Sequence, residues 1–388
     1  KTDGTLWAWG NNSTGALGDG TTINKSSPVQ IGTLASWAGI SSSGTSSFAA
    51  AVKTDGSLWD WGNNSNGQLG QGVITLFTAF SSPVQIGGSW TQATTGQNCY
   101  TAIKNDGSLW GWGSNTKGNL GNGTTINTSS PVQIGTLTNW KIASSSTSDA
   151  WSVFIKTDNS LWTCGNNNVG QLGDGTTVNK SSPVQIGTLT NWLKVYAGTD
   201  YVIAIKTDGT LWTWGNNINW SLGDGTTVNK SSPIQVGTLT TWSNATAGIG
   251  SSIAIKTDGT LWVWGSNSSG VLGNGTTLGT SSPTQIGTLT NWKNIGGTRN
   301  SSIAVKTDGT LWTWGDNTWG QLGQNSVIAR SSPVQVGTLT NWYNVPSSHT
   351  ATQAIKVDGT LWAWGRNDTG QVGDSTTTVS YTHLTLPT

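Results

Sequence analysis

Methionine is absent from the 388 residues, histidine occurs twice and cysteine twice. His349 and His383 offer no Ser/Cys–His–acid arrangement with a usable spacing, which points away from triad catalysis. Charged residues make up 9% of the chain and the formal net charge is +1. No basic face is available to neutralise phosphates, so nucleic acid is an unsuitable partner. No apolar run reaches the roughly 18 residues needed to span a bilayer. Cys99 and Cys164 fall at non-equivalent places and form no disulfide framework, although a single bridge between them stays open. The glycine-rich stretches carry no P-loop lysine pattern. With no methionine at position 1 and no signal peptide, the chain reads as a segment of a longer gene product. Its surface must be mostly neutral Ser, Thr, Asn and Gly. That composition suits an extracellular or cell-surface protein better than a cytosolic one, where charge normally maintains solubility.

What is abundant is tryptophan, with 25 residues, and glycine, with 54. Leu-Trp recurs at positions 6, 58, 109, 161, 211, 261, 311 and 361, so the period is 50 to 52 residues. Such a period marks a propeller, solenoid or array. The fifth copy serves as a template for four short strands. Strand A covers 191–197 and strand B covers 201–206. The Thr207-Asp208-Gly209-Thr210 turn is a strong hairpin signal. Strand C covers 211–215, a long loop follows, and strand D begins after Pro233. Four antiparallel strands per 50 residues make a propeller blade. The expected fold is all-β: a seven-bladed β-propeller of four-stranded antiparallel blades.

Trp fills the two indole positions of LWxWG 15 times out of 16, Cys164 being the exception. Seven more Trp begin strand A. This regularity is what blade-to-blade packing requires, each indole burying about 200 Å²; carbohydrate binding by these residues is the competing reading. The copies are uneven: eight C strands meet seven A strands and seven Pro-led D strands. The last set lacks strand D, and the N-terminal segment supplies an orphan C–D pair. Terminal-strand closure is therefore expected, the N-terminal strand D joining the last blade and leaving one C strand surplus. The propeller is expected to span 1–378. Residues 379–388 (VSYTHLTLPT) depart from the repeat, resemble translated cloning sequence, and are expected to lie outside the fold.

The candidate contact residues break the pattern. Residues 73–80 form the one apolar loop, with Val73, Ile74, Leu76, Phe77 and Phe80. It reads either as a contact site or as a loop folded back on its own blade. Trp220, Trp319 and Trp151 stand outside the repeated positions, as local packing or as interface anchors. Fourteen sequons start at Asn11, Asn12, Asn24, Asn63, Asn122, Asn127, Asn179, Asn219, Asn229, Asn244, Asn267, Asn274, Asn300 and Asn367. Twelve fall in C–D loops and Asn300 in an A–B loop. They are either candidate N-glycan sites that coat one face or a compositional accident. The repeated Asp of each TDGT reads as a turn former. Asp19, Asp174 and Asp224 are weak calcium candidates, because other copies carry Gln or Asn there. No catalytic residue, metal or cofactor is implied.

The stretches Trp61-Gly62-Asn63 to Gln68-Leu69-Gly70 and Trp314-Gly315 to Gln321-Leu322-Gly323 follow the pattern WGxNxxGQLG. The chain resembles the regulator of chromosome condensation repeat family over roughly residues 1 to 376. The resemblance implies a seven-bladed propeller closed by terminal strands. Family roles diverge: a nuclear exchange factor for a small GTPase that binds chromatin, a secreted bacterial inhibitor of β-lactamases, and bacterial surface proteins. No exchange-factor residue can be carried over. The expected function is a non-enzymatic extracellular scaffold that binds a protein partner. The alternatives are a structural filament subunit that self-associates through surplus strands and a GTPase exchange factor.

Overall fold

The computed structural model describes residues 1, 3–43, 47–72, 79–146, 149–297, 300–345 and 351–385. Every regular element among them is a β-strand. Seven four-stranded antiparallel sheets, the blades of a β-propeller, follow one another along the chain. Blades 1 to 7 occupy residues 37–86, 90–133, 140–185, 192–235, 242–285, 292–335 and 342–385. A two-stranded sheet, Trp7–Gly10 with Lys25–Gln30, precedes them. The chain divides into two compact units, Lys1–Asn24 with Val29–Trp192, and Lys25–Pro28 with Leu193–Thr388.

Within a blade the strands run A-B-C-D. In blade 4 strand D is Lys230–Gln235, starting four residues earlier than the sequence implied. Trp212 pairs with Gln235, Thr213 with Ile234, and Gly215 with Lys230, so a bulge swallows the residues opposite Trp214. Pro233 lies inside that bulge, on an outer strand, where its missing N–H is not called upon.

The last blade differs from expectation. Its fourth strand is Ser380–Thr385, which pairs with strand C through Gly365↔Ser380 and Trp362↔Thr385. The segment expected to lie outside the fold thus occupies the register held by Arg330–Gln335 one blade earlier. The N-terminal strand D does not take that place. Instead Ser375 N donates to Ser26 O at 2.6 Å, just as Gly275 N donates to Ser331 O at 2.7 Å. Lys25–Pro28 therefore stands beside the last blade as the outer strand of a following blade does elsewhere. The physical reason is proximity: an open strand edge accepts whichever extended segment first reaches it with free backbone groups.

The core lies between blades. One cluster joins Ile203, Ile205 and Leu211 of blade 4 to Trp242 and Trp264 of blade 5. The next joins Ile253, Ile255 and Leu261 to Trp292 and Trp314. The indoles meet edge to face: Trp242 lies 6.0 Å from Trp262 and 6.3 Å from Trp264. Four of the second indoles, Trp61, Trp264, Trp314 and Trp364, also donate backwards, whereas Trp112 Nε1 has no acceptor. Trp61 Nε1 reaches Ala16 O at 2.9 Å, Trp264 Nε1 reaches Ser221 O at 2.8 Å, and Trp314 Nε1 reaches Val271 O at 2.8 Å. The acceptor always precedes Leu-Gly, and a Cβ on that glycine would crowd the indole: at Gly223 it would sit 2.9 Å from Trp264. Blade 3 uses Cys164 here, whose thiol lies 3.5 Å from Asn119 O. Both cysteines are buried and free. Blade 3 regains an indole at Trp151, fully buried at the start of its strand B.

Blade 1 holds one misfit. Asp60 stands where blades 3, 4 and 6 carry Thr163, Thr213 and Thr313, whose hydroxyls donate to Leu172, Leu222 and Leu322 O. Asp60 is fully buried, with Oδ2 unpartnered. Burial pushes its carboxyl well above the usual carboxylate range, against one weak bond from Gln71. A folded value above the unfolded one means that its contribution is present below about pH 3.8 and is lost as pH rises through the folded value. Asp60→Thr is expected to raise unfolding free energy at neutral pH by about 1–3 kcal/mol. The gain should shrink near pH 4, which urea denaturation at the two pH values checks.

Candidate protein-interaction surface

Each C–D loop is built around one buried asparagine. Asn217 in blade 4 accepts Leu222 N on its Oδ1 at 3.0 Å. Its Nδ2 donates to Asp224 at 2.8 Å, Thr226 O at 3.0 Å and Val228 O at 3.3 Å. Its own N–H goes to Asn229 Oδ1 at 2.8 Å. Asn12, Asn115 and Asn167 repeat these contacts in the first unit. Asn267, Asn317 and Asn367 repeat the carbonyl contacts in the second. A side chain that satisfies three backbone groups across eleven residues makes a long loop rigid without a hydrophobic core.

That rigidity presents an aliphatic side chain to solvent. The residue whose carbonyl accepts from the asparagine points outward. Ile23, Ile126 and Val178 do so in the first unit and Val228, Leu278 and Ile328 in the second, all between 61% and 74% exposed. The N–H groups of Ile23, Ile126, Val178, Val228 and Leu278 are fixed as well: Val228 N donates to Thr226 Oγ1 at 3.3 Å. The sequence reading passed over these residues, because GTTVNK looks like a polar loop. The signal available was their recurrence.

Trp220 and Trp319 extend this surface within the second unit. Trp220 has φ +61° at a position where the other C–D loops carry glycine with positive φ, such as Gly170, Gly270 and Gly320. A large side chain in the left-handed region costs about 1–2 kcal/mol. Its indole lies over Gly279, where a Cβ would come within 2.8 Å of the ring. Trp319 sits at an ordinary position, and the Arg366 guanidinium lies 5.0 Å from its ring. Arg366 is itself held by Asp368 at 2.6 Å. The two indoles remain 37% and 38% exposed. Asn219 packs against Gly250, which brings a C–D loop and an A–B turn to the same face.

Residues 1–298 match the RCC1-like domain, and residues 308–352 match the regulator of chromosome condensation (RCC1) repeat. The chain belongs to the RCC1-like domain family. It is similar to the human probable E3 ubiquitin-protein ligase HERC6, with 32% identity over 188 residues, 46% of this chain and 18% of that protein. It is also similar to the ultraviolet-B receptor UVR8 of Arabidopsis thaliana, with 29% identity over 201 residues, 48% of this chain and 43% of that one. The matches thus span less than half the length of these curated relatives. Among solved structures, human WBSCR16 has a TM-score of 0.70 at 20% identity, covering 88% of this chain and 97% of that one. Prp20p of Saccharomyces cerevisiae, characterised with its binding to Gsp1p and histones, has a TM-score of 0.67 at 17% identity. It covers 87% of each chain. These two likenesses show the fold.

On this RCC1-like framework the other candidates sort by burial. Val73, Ile74, Leu76 and Phe77 lie outside the described residues. Phe80 opens strand D of blade 1, is half-buried and packs against the cluster shared by blades 1 and 2. Among the sequons, Asn12, Asn267 and Asn367 are fully buried with the side-chain amide nitrogen donated inward, so no glycan fits there. Asn63, Asn122, Asn127, Asn244 and Asn274 are half-buried, and Asn244 accepts the Tyr196 hydroxyl at 2.7 Å. Asn11, Asn24, Asn179, Asn219, Asn229 and Asn300 are exposed. The loop acids are already occupied: Asp174 accepts from Asn167 and pairs with Lys180 at 3.2 Å, and Asp224 pairs with Lys230 at 3.2 Å. No group of three or more His, Cys, Asp or Glu converges among the described residues.

The lysine before each TDGT was also missed. Lys206, Lys256 and Lys306 are buried with Nζ 3.4–3.6 Å from the centroid of the first indole of the same blade. That indole donates to the turn threonine, Trp212 Nε1 to Thr210 Oγ1 at 2.8 Å, and the threonine to Asp208 at 2.6 Å. The threonine hydroxyl and N–H hold the Asp208 carboxyl below its usual range. Hydrocarbon and cation–π contact, rather than ion pairing, keeps the lysine in place.

The strain at Trp220 gives a direct test. Trp220→Gly is expected to stabilise the fold by about 1 kcal/mol, because the left-handed backbone no longer carries an indole. The denaturation midpoint measures this; a loss of stability would show that the indole's packing on Gly279 outweighs the strain.

Proposed function

We propose that this RCC1-like chain is a protein-binding scaffold that works outside the cell or on its surface, with the C–D loops as its recognition elements. One observation carries the reading: each of six loops exposes an aliphatic side chain on a backbone pinned by a buried asparagine. Exposed apolar groups on rigid loops lose little ordering entropy when a partner covers them. Trp220 and Trp319 add the aromatic anchors that interfaces favour. The neutral, Asn-rich surface supports the extracellular setting, and the six exposed sequons are where glycans would attach in a glycosylating host. The names of the relatives range from a ubiquitin ligase to a light receptor. They share a propeller rather than a chemistry, and no one activity passes to this chain.

Self-association is the second reading, and the N-terminal pair favours it. Trp7–Gly10 pairs only with Lys25–Gln30 among the described strands, whereas every other strand C also pairs with a strand B. An open edge of this kind is a template for another strand.

The triple variant Val228→Ser, Leu278→Ser, Ile328→Ser separates recognition from folding. Its unfolding free energy is expected to stay within about 0.5 kcal/mol per site of the parent. Each lost aliphatic contact is worth about 1 kcal/mol, so partner capture from a cell-surface fraction should fall at least tenfold. Equal capture by parent and variant would overturn the loop reading. Light scattering across concentrations tests self-association: a constant monomer mass rejects it.

A further inference from the structure

A groove between blades 5 and 6 holds a cation without an anion. Its volume is about 400 Å³, and its walls are the Gly273–Gly275 loop, Gln285, the Trp292 and Trp312 indoles, Lys306 and Pro333. Lys306 is 3% exposed. Its Nζ lies 3.6 Å from the Trp312 centroid and 4.6 Å from that of Trp292. Among the described residues it makes no hydrogen bond and no ion pair. The acid nearest in sequence, Asp308, spends its carboxylate on Thr310 N and Oγ1 at 2.9 and 2.6 Å. Cation–π contact contributes about 1–2 kcal/mol, while taking an ammonium out of water costs several. Burial accordingly lowers the Lys306 pKa, ahead of the opposing pull of Asp308.

A second donor waits in the same groove. Trp292 Nε1 is buried and has no acceptor. Other donors and acceptors of the groove are committed: Trp312 Nε1 donates to Thr310 Oγ1 at 2.8 Å, Gln285 Nε2 to Gly287 O at 3.1 Å, and Asn274 Oδ1 accepts from Asn267 at 3.0 Å. The equivalent groove at blade 2 has a volume of about 430 Å³ and is lined by Trp90, Lys104 and Trp110. There Trp90 Nε1 is satisfied by Gly87 O at 3.2 Å. The blade 6 groove thus leaves both its ammonium and its indole N–H unused, and the same pairing recurs at Trp37 with Lys53, Trp140 with Lys156 and Trp242 with Lys256.

We propose that this groove binds a carboxylate, with the Lys306 ammonium and the Trp292 indole N–H donating to its oxygens and the indole faces covering its hydrocarbon. A small organic acid and a carboxylate borne by a peptide share this chemistry. The test follows the indole N–H resonance of Trp292 in ¹⁵N-Trp-labelled full chain, assigned by Trp292→Phe. Acetate and a blocked glutamyl dipeptide are the probes, with chloride at equal ionic strength as the reference. A saturable shift of this resonance, weakened at least tenfold in Lys306→Met and retained in Lys306→Arg, is the expected result. Saturation by acetate identifies a free small acid as sufficient, and saturation by the dipeptide alone identifies a peptide-borne group. No saturable shift in the parent chain, or an equal shift with chloride, overturns the proposal without reference to any variant.

Discussion

A blade of this chain cannot bury its own faces, and the indole N–H donated to the preceding blade is where that dependence is fixed. Trp264 fills the space against Leu211 and Ile203 and also reaches Ser221 O at 2.8 Å. Apolar area would hold two blades together in many orientations, since burial has no direction. The indole bond has one geometry. It requires an acceptor at the residue before Leu-Gly and a glycine that leaves room for the ring, as Gly223 does. The Ser252 hydroxyl donates to the same carbonyl at 2.9 Å, so two side chains of one blade read one backbone oxygen of its neighbour. The WG and LG halves of the repeat are complementary parts of a joint between successive blades.

The joint was legible in outline because it repeats. The spacing of Leu-Trp gave the blade length, and the alternation in strand C placed indoles on a buried face. Register was less accessible. Strand D starts at Lys230 because a bulge opposite Trp214 shifts the pairing, and no local composition announces a bulge. The last blade followed pairing rules rather than repeat resemblance: Ser380–Thr385 has no Pro-led motif, yet it supplies a strand in the right register.

The candidate surface was harder to read, since its parts imitate other things. Asn367 is both a sequon and a loop staple, and only burial tells the two apart. Val228 sits among Thr and Asn and looks incidental until its carbonyl is seen to hold Asn217 Nδ2. Lys306 precedes an exposed turn and resembles a solubilising charge, yet it lies between indoles. In each case the residue type was ordinary and the environment was set by the adjacent blade, which a local reading does not include.

Where copies are nearly identical, information resides in departures that are matched to each other. Trp220 breaks the glycine rule of its loop, and Gly279 breaks the asparagine rule one repeat later. Asn229 shows what Gly279 gives up, an acceptor for the N–H of the loop asparagine. Any side chain at 279 would collide with the indole, so the Trp220 departure depends on the Gly279 one. A drifting repeat would accumulate single departures, each destabilising its own loop. Two complementary ones that leave a strained indole partly exposed are better explained by selection on what the loop touches than by selection on the fold, which the glycine version already satisfies in seven other places.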